Sequence, residues 1–266
     1  MKKLFLIFVL CACSFFISSQ TIENRGKFFS GIGVGYERYY NAILLPYEFA
    51  CRNYSINFDW QILNNDNWLS ITHLQLNYAP VFAKDMSIDI PIFNTNQHNL
   101  GAKFQYNLLR KINVFSKEKF NFFAGGNIDF QPEVELFLYQ DIQKYFLRVD
   151  LSLGLSLFAE YDFGKIKLSD NFAMPLVVGS FYPHYSTVPF WSIGGAKNYF
   201  LVAPIGTLNR INNFFSLEIP IKSKGKLFTT LWLSYNFNYE FSIIRDNKIR
   251  TISHNGLAGF AFNICK

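Results

Sequence analysis

The chain has 266 residues, 50% of them hydrophobic and 19% aromatic, with a formal net charge of +6. Lys2 and Lys3 supply two of those charges and the remaining bases are scattered, which argues against a nucleic-acid surface. Four cysteines, two of them in the first thirteen residues, exclude a disulfide scaffold. No CxxC, HExxH or histidine cluster suggests a metal or cofactor site.

The opening "MKKLFLIFVLCACSFFISSQ" has a basic start at Lys2-Lys3, an apolar run from Leu4 to Leu10, and small residues at Ser18-Ser19. That pattern predicts a secretory signal peptide over residues 1–20 and a mature chain of 21–266. The alternative is "LCAC", Leu10 to Cys13, which looks like a bacterial lipoprotein signal with Cys13 acylated. With the leader removed, only Cys51 and Cys265 remain, and both are expected near one rim as free thiols.

Downstream, residues alternate with a period of two, the mark of strands with two different faces. In "SGIGVGYERYY" Gly31, Gly33 and Gly35 share one face; no helix follows them, so a nucleotide loop is excluded and small inward residues are expected. "YSINFDWQI" sets Tyr54, Ile56, Phe58, Trp60 and Ile62 against Ser55, Asn57, Asp59 and Gln61. "LGAKFQYNL" and "FLRVDLSLGLSLFAEYDF" repeat the pattern, as does "LFTTLWLSYNFNYEF", where Leu233, Tyr235, Phe237 and Tyr239 oppose Ser234, Asn236, Asn238 and Glu240. Weaker alternation near 27–40, 43–51, 68–79, 86–94, 119–130, 166–181, 209–221 and 249–264 brings the expected number of strands to twelve. The connectors "CRN" (51–53), "AKD" (83–85), "NVFSKEK" (113–119), "FGK" (163–165) and "KSKGK" (222–226) are expected on the side of the termini. "NNDN" (64–67), "NTNQ" (94–97), 131–144, 182–208 and "RDNK" (245–248) are expected opposite. Trp60 and Trp68 straddle "NNDN", as interfacial tryptophans would.

A soluble sandwich would give apolar faces of varying strength and charged outer faces. Here almost every strand has a full apolar face opposite Asn, Gln, Ser, Gly and acids, so the apolar face is read as lipid-facing and the polar face as lumen. By parity the lumen receives Glu37, Asp59, His73, Lys103, Asp129, Arg148, Asp150, Glu160, Glu218 and Glu240, along with Asp89 and Lys167. The excess of acids predicts weak cation selectivity if small solutes or ions pass.

The leader, the alternating strands and the final "GLAGFAFNI" resemble Gram-negative outer-membrane β-barrel proteins. Phe260, Phe262 and Ile264 on one face of the last strand are similar to the signal that the barrel-assembly machinery reads, although this chain ends Ile264-Cys265-Lys266 rather than on an aromatic residue. The resemblance implies an all-β, closed antiparallel transmembrane barrel with short periplasmic turns, longer external loops and both termini in the periplasm. It further implies outer-membrane lipid, lipopolysaccharide and the assembly machinery as partners.

Few residues point to chemistry. "PHYS" places His184 two residues before Ser186, similar to the His-x-Ser of outer-membrane lipid A deacylases, but in an expected loop between Pro183 and Pro189. His73 shares a face with Gln75 and Asn77, which is similar to part of the Ser, His and Asn set of phospholipase barrels, with no serine placed beside it. The leading expectation is a small channel or surface barrel. A membrane-embedded lipid hydrolase using His184 and Ser186, or His73, and a structural or adhesive barrel acting through its loops are the alternatives.

Overall fold

A computed structural model describes residues 25–41, 45–64, 66–83, 96–138, 143–181, 200–204, 208–221, 230–244 and 247–263. All regular structure in it is strand: β1 (Arg25–Asn41), β2 (Leu45–Asn64), β3 (Trp68–Ala83), β4 (Asn96–Lys111), β5 (Phe120–Leu138), β6 (Gln143–Asp162), β7 (Lys167–Phe181), β8 (Phe200–Pro204), β9 (Leu208–Pro220), β10 (Thr230–Ile244) and β11 (Asn247–Asn263). Each pairs antiparallel with its neighbours, β1 pairs with β11, and β6 pairs with β7, so the sheet closes on itself. Closure leaves no free edge, which is what allows strands to cross a bilayer.

β7 pairs with β9 through Lys167–Ala173 and with β8 through Val177–Phe181. β8 and β9 therefore run in line as one stave, and the barrel has ten staves rather than the expected twelve. The difference comes from two places. Cys51-Arg52-Asn53 is no turn: Cys51 and Asn53 are buried in the barrel and Arg52 is exposed, so alternation runs unbroken through β2. The strand expected at 86–94 lies outside the described residues.

The Asn64–Asn67 hairpin lies at the termini end, with 112–119 and 163–166, and not at the opposite end as expected. The two longest connectors, 84–95 and 182–199, belong to the far end. Cys51 is likewise not at a rim. It is buried in the interior, its Sγ 3.7 Å from the Glu37 carbonyl oxygen, while β11 ends at Asn263 at the other end of the barrel; Cys265 lies outside the described residues.

The outer surface is a continuous apolar band in which Ile32, Val34, Ile56, Leu76, Leu151, Leu153, Leu155 and Val202 are all exposed. Rings flank it. Toward the termini, Trp60 packs on Phe28 with centroids 5.0 Å apart, and Arg110 lies over Trp68 at 5.9 Å. Toward the far end, Tyr54 and Tyr78 stack, and two tyrosine–histidine pairs, Tyr78–His98 and Tyr235–His254, share hydrogen bonds on the outer face. Apolar exterior, aromatic flanks and polar interior make this a transmembrane-type barrel.

The barrel interior as the candidate functional site

Alternation directs one side chain in two inward, and the barrel is narrow enough that these side chains meet across it. Glu37, Asp59, His73, Lys103, Asp129, Arg148, Asp150, Glu218 and Glu240 are buried inside, and Glu160 is partly buried. His184, Ser186 and Asp89 lie outside the described residues. Three bases that parity reading left out also point into the lumen or its mouth, Lys27, Lys111 and Arg210, and Lys167, which parity did place there, is partly exposed at the mouth. The interior is thus closer to charge balance than the acids alone suggest.

The lumen is layered. At the termini end, a vestibule of about 570 Å3 is bordered by Lys27, Gln61, Lys111, Glu160 and Lys167. Lys27 Nζ donates to Glu218 Oε2 at 2.7 Å. Above it the interior becomes apolar. Leu69, Ile71, Leu109, Phe123 and Phe158 form one buried cluster, with Leu63 against it. Phe29, Trp232 and Ala261 form a second, with Phe214 packed on it; Trp232 lies 5.4 Å from the Phe29 ring and 5.7 Å from Phe214.

The inward glycines of β1 make room for this filling. A Cβ on Gly31 would sit 3.0 Å from the Trp232 ring, and one on Gly33 would sit 2.2 Å from Leu257 Cδ2 and 2.5 Å from Ser55 Oγ. Trp232 fills the interior because β1 carries no side chain at that point.

Beyond the apolar layer, His73 Nδ1 pairs with Asp59 across the β2–β3 ladder, and the imidazole packs on Phe214 at 5.2 Å. Its Nε2 has no hydrogen-bond partner among the described residues. A pocket of about 20 Å3, room for roughly one water, separates this pair from Ser169 and Ser216, whose hydroxyls bond each other at 2.7 Å.

Higher still is a knot of charge. Arg210 Nε and Nη2 both donate to Glu240 Oε2, at 3.1 and 2.8 Å, and Nη2 also reaches Asp150. Arg148 bridges Asp150 at 2.7 Å and also pairs with Glu240, while Asp129 lies 3.6 Å from Arg210. Two guanidiniums clamped among three carboxylates on β5, β6, β9 and β10 tie together staves that are not neighbours in the sheet. Above them a cavity of about 70 Å3 is lined by Glu37, Asn53, Asn77, Asn99, Glu133 and Asn255, with Lys103 and the two arginines at its floor. Arg210 was missed because "LNRIN" begins a strand, where parity has no preceding residues to anchor it.

No protein-family model matches the chain, and no curated protein matches its sequence. Among solved structures the chain is similar to the outer membrane protease OmpT of Escherichia coli, with 8% identity and a TM-score of 0.55 over 93% of this chain and 99% of that one. It is also similar to the translocator domain of the autotransporter NalP from Neisseria meningitidis, with 7% identity and a TM-score of 0.39 over 89% of this chain and 88% of that one. A third is the attachment invasion locus protein Ail of Yersinia pestis, with 10% identity and a TM-score of 0.35 over 89% and 99%. The first likeness is one of fold, and the other two are looser. The fold is that of an outer-membrane β-barrel.

Proposed function

We propose that the protein is an outer-membrane barrel sealed across its lumen, which works at its external end rather than as an open diffusion pore. The observation that carries this is the pair of apolar clusters built on Trp232 and Phe158, which fills the interior between the termini-end vestibule and the charge knot. An ion crossing it would have to shed its water against aromatic rings, and that barrier is what hydrophobic constrictions use to stop conduction. The external end is the one remote from the termini, and it carries the long connectors 84–95 and 182–199. Exposed Arg38 and Arg52 lie at that level on the outer face among Tyr36, Tyr54 and Tyr78. Such a belt suits the acidic headgroups of outer-membrane lipid and lipopolysaccharide.

A hydrolase has less support. The Asp59–His73 pair is oriented like a base and its positioning carboxylate, but His73 faces a pocket of about 20 Å3, too small for a lipid or peptide. Conductance in planar bilayers decides between sealed and open. The sealed barrel gives a silent membrane in molar potassium chloride, and stable single-channel steps would overturn it.

A further inference from the structure

The cavity above the charge knot has a chemistry of its own, whether or not the lumen conducts. Around it and just below it lie five carboxylates, those of Glu37, Asp129, Glu133, Asp150 and Glu240, against three bases, Lys103, Arg148 and Arg210. Asp129, Asp150 and Glu240 hold the arginines. Lys103 Nζ is turned to Asn238 Oδ1 at 3.4 Å. The remaining two acids, Glu37 and Glu133, make no ion pair among the described residues, Glu133 standing opposite Arg148 in the β5–β6 register while that guanidinium is engaged with Asp150 and Glu240. A divalent cation would supply both acids with the direct counter-charge that no ion pair among the described residues gives them.

The neighbouring amides point the same way. Asn53 Nδ2 donates to Glu37 Oε2 at 3.3 Å, Asn99 Nδ2 to Glu133 Oε1 at 2.6 Å, and Asn255 Nδ2 to Ser55 Oγ at 2.6 Å. Each amide spends its nitrogen, which fixes its orientation, and each is left with a buried Oδ1 that has no partner among the described residues. Asn53, Asn99 and Asn255 are all more than nine-tenths buried, all line the cavity, and Asn77 adds a fourth unpartnered Oδ1 between them. Buried acceptors of this kind are rare without a donor or a cation to satisfy them.

We propose that this cavity binds one calcium-class cation, drawing oxygen ligands from the carboxylates of Glu37 and Glu133 and the amide oxygens of Asn53, Asn77, Asn99 and Asn255. Calcium accepts about six to eight oxygens in flexible geometry, carbonyl oxygens among them, whereas magnesium demands a stricter octahedron and holds its water. No three acidic, histidine or cysteine side chains converge as a metal cluster among the described residues, so the amides are needed to complete the shell. A volume of about 70 Å3 accommodates the ion with a water or two. Entry is from the far end, since the apolar layer closes the other side.

The test uses the full-length barrel, purified free of lipopolysaccharide in a neutral detergent, with calcium chloride as the probe. Calorimetry is expected to show one saturable site, and the heat-unfolding midpoint to rise in millimolar calcium over chelator but not in equivalent potassium. The double variant Glu37→Gln, Glu133→Gln should weaken calcium binding by about tenfold or more, while Glu218→Gln in the vestibule leaves it unchanged. If the double variant does not fold, Asn53→Ala with Asn99→Ala replaces it, with the same loss expected. No saturable binding by the wild type, an equal shift from potassium, or binding that survives the variants would each overturn the proposal.

Discussion

Arg210 on β9 and Glu240 on β10 stand directly opposite each other in register, and two guanidinium nitrogens of the one donate to a single carboxylate oxygen of the other. Both are buried, so neither charge has water to fall back on. Arg210→Ala leaves Glu240 and Asp150 short of a counter-charge and should destabilise the barrel by about 3–5 kcal/mol. Adding Glu240→Ala should recover part of that loss. Urea unfolding in lipid vesicles measures both, and a double variant no better than the single would show that the pair is not coupled.

Trp232→Ala removes the largest fully buried side chain from the apolar layer. It should cost about 3–5 kcal/mol. With Phe158→Ala added, the silent bilayer expected of the wild type should acquire conductance. If the doubly truncated barrel folds and stays silent, the seal lies in the charge knot instead.

Gly33→Val should disturb the fold far more than Gly126→Ala. The first forces a branched side chain into the space held by Leu257 and Ser55, an overpacking cost of about 1–3 kcal/mol. A Cβ on the second meets nothing closer than a carbonyl oxygen at 3.7 Å. Heat modifiability on gels compares them, and equal behaviour would mean that the lumen near β1 is looser than its contacts imply.

Leu153 is exposed on the lipid face, and Leu153→Arg should impair insertion at a cost of about 2–4 kcal/mol. Gly154→Ser should also be poorly tolerated, for a different reason: a Cβ there would lie 2.3 Å from the Met174 carbonyl oxygen, next to the register shift between β6 and β7. Folding yields into vesicles of defined composition test the pair.

Cys51 is buried inside the barrel. It should resist a hydrophilic maleimide in the folded state and react once the barrel is unfolded in urea. Rapid labelling of the folded protein would place β2 in the wrong register.

The period of two made the barrel legible, because Leu147 to Leu157 on β6 and Leu231 to Phe241 on β10 alternate without a break. What alternation could not convey was the apolar layer. Phe29, Phe123 and Phe158 sit near the termini end of their strands, next to outward residues that are also apolar, as in "KFFS" and "FNFFA". Parity loses its contrast where both faces are greasy. The strand count slipped because a polar trio, Cys51-Arg52-Asn53, looks like a turn when its alternation is ignored. Most of the inward acids and Arg148 were readable from parity alone, but Glu133 was not, because it falls in the expected connector 131–144, which β5 in fact occupies as far as Leu138. Their partners were not, since Arg210 and Glu240 are 30 residues apart and Asn99 and Glu133 are 34 apart. Such contacts exist only once the sheet has closed.

The split stave gives the wall an uneven stiffness. Along the level of Met174 to Leu176, β7 has a proline without a backbone donor and a skipped register on its β6 side. On the other side, its described pairing passes from β9 at Ala173 to β8 at Val177. Hoop strength in a closed sheet comes from uninterrupted hydrogen-bond ladders, so lateral pressure from the bilayer will be taken up along this line first. Its backbone amides should exchange with deuterium ahead of those on the β1–β11 contact, where Lys27 through Asn41 pair without a break. The cylinder has a compliant meridian, and lipid beside Val177 and Val202 will feel it.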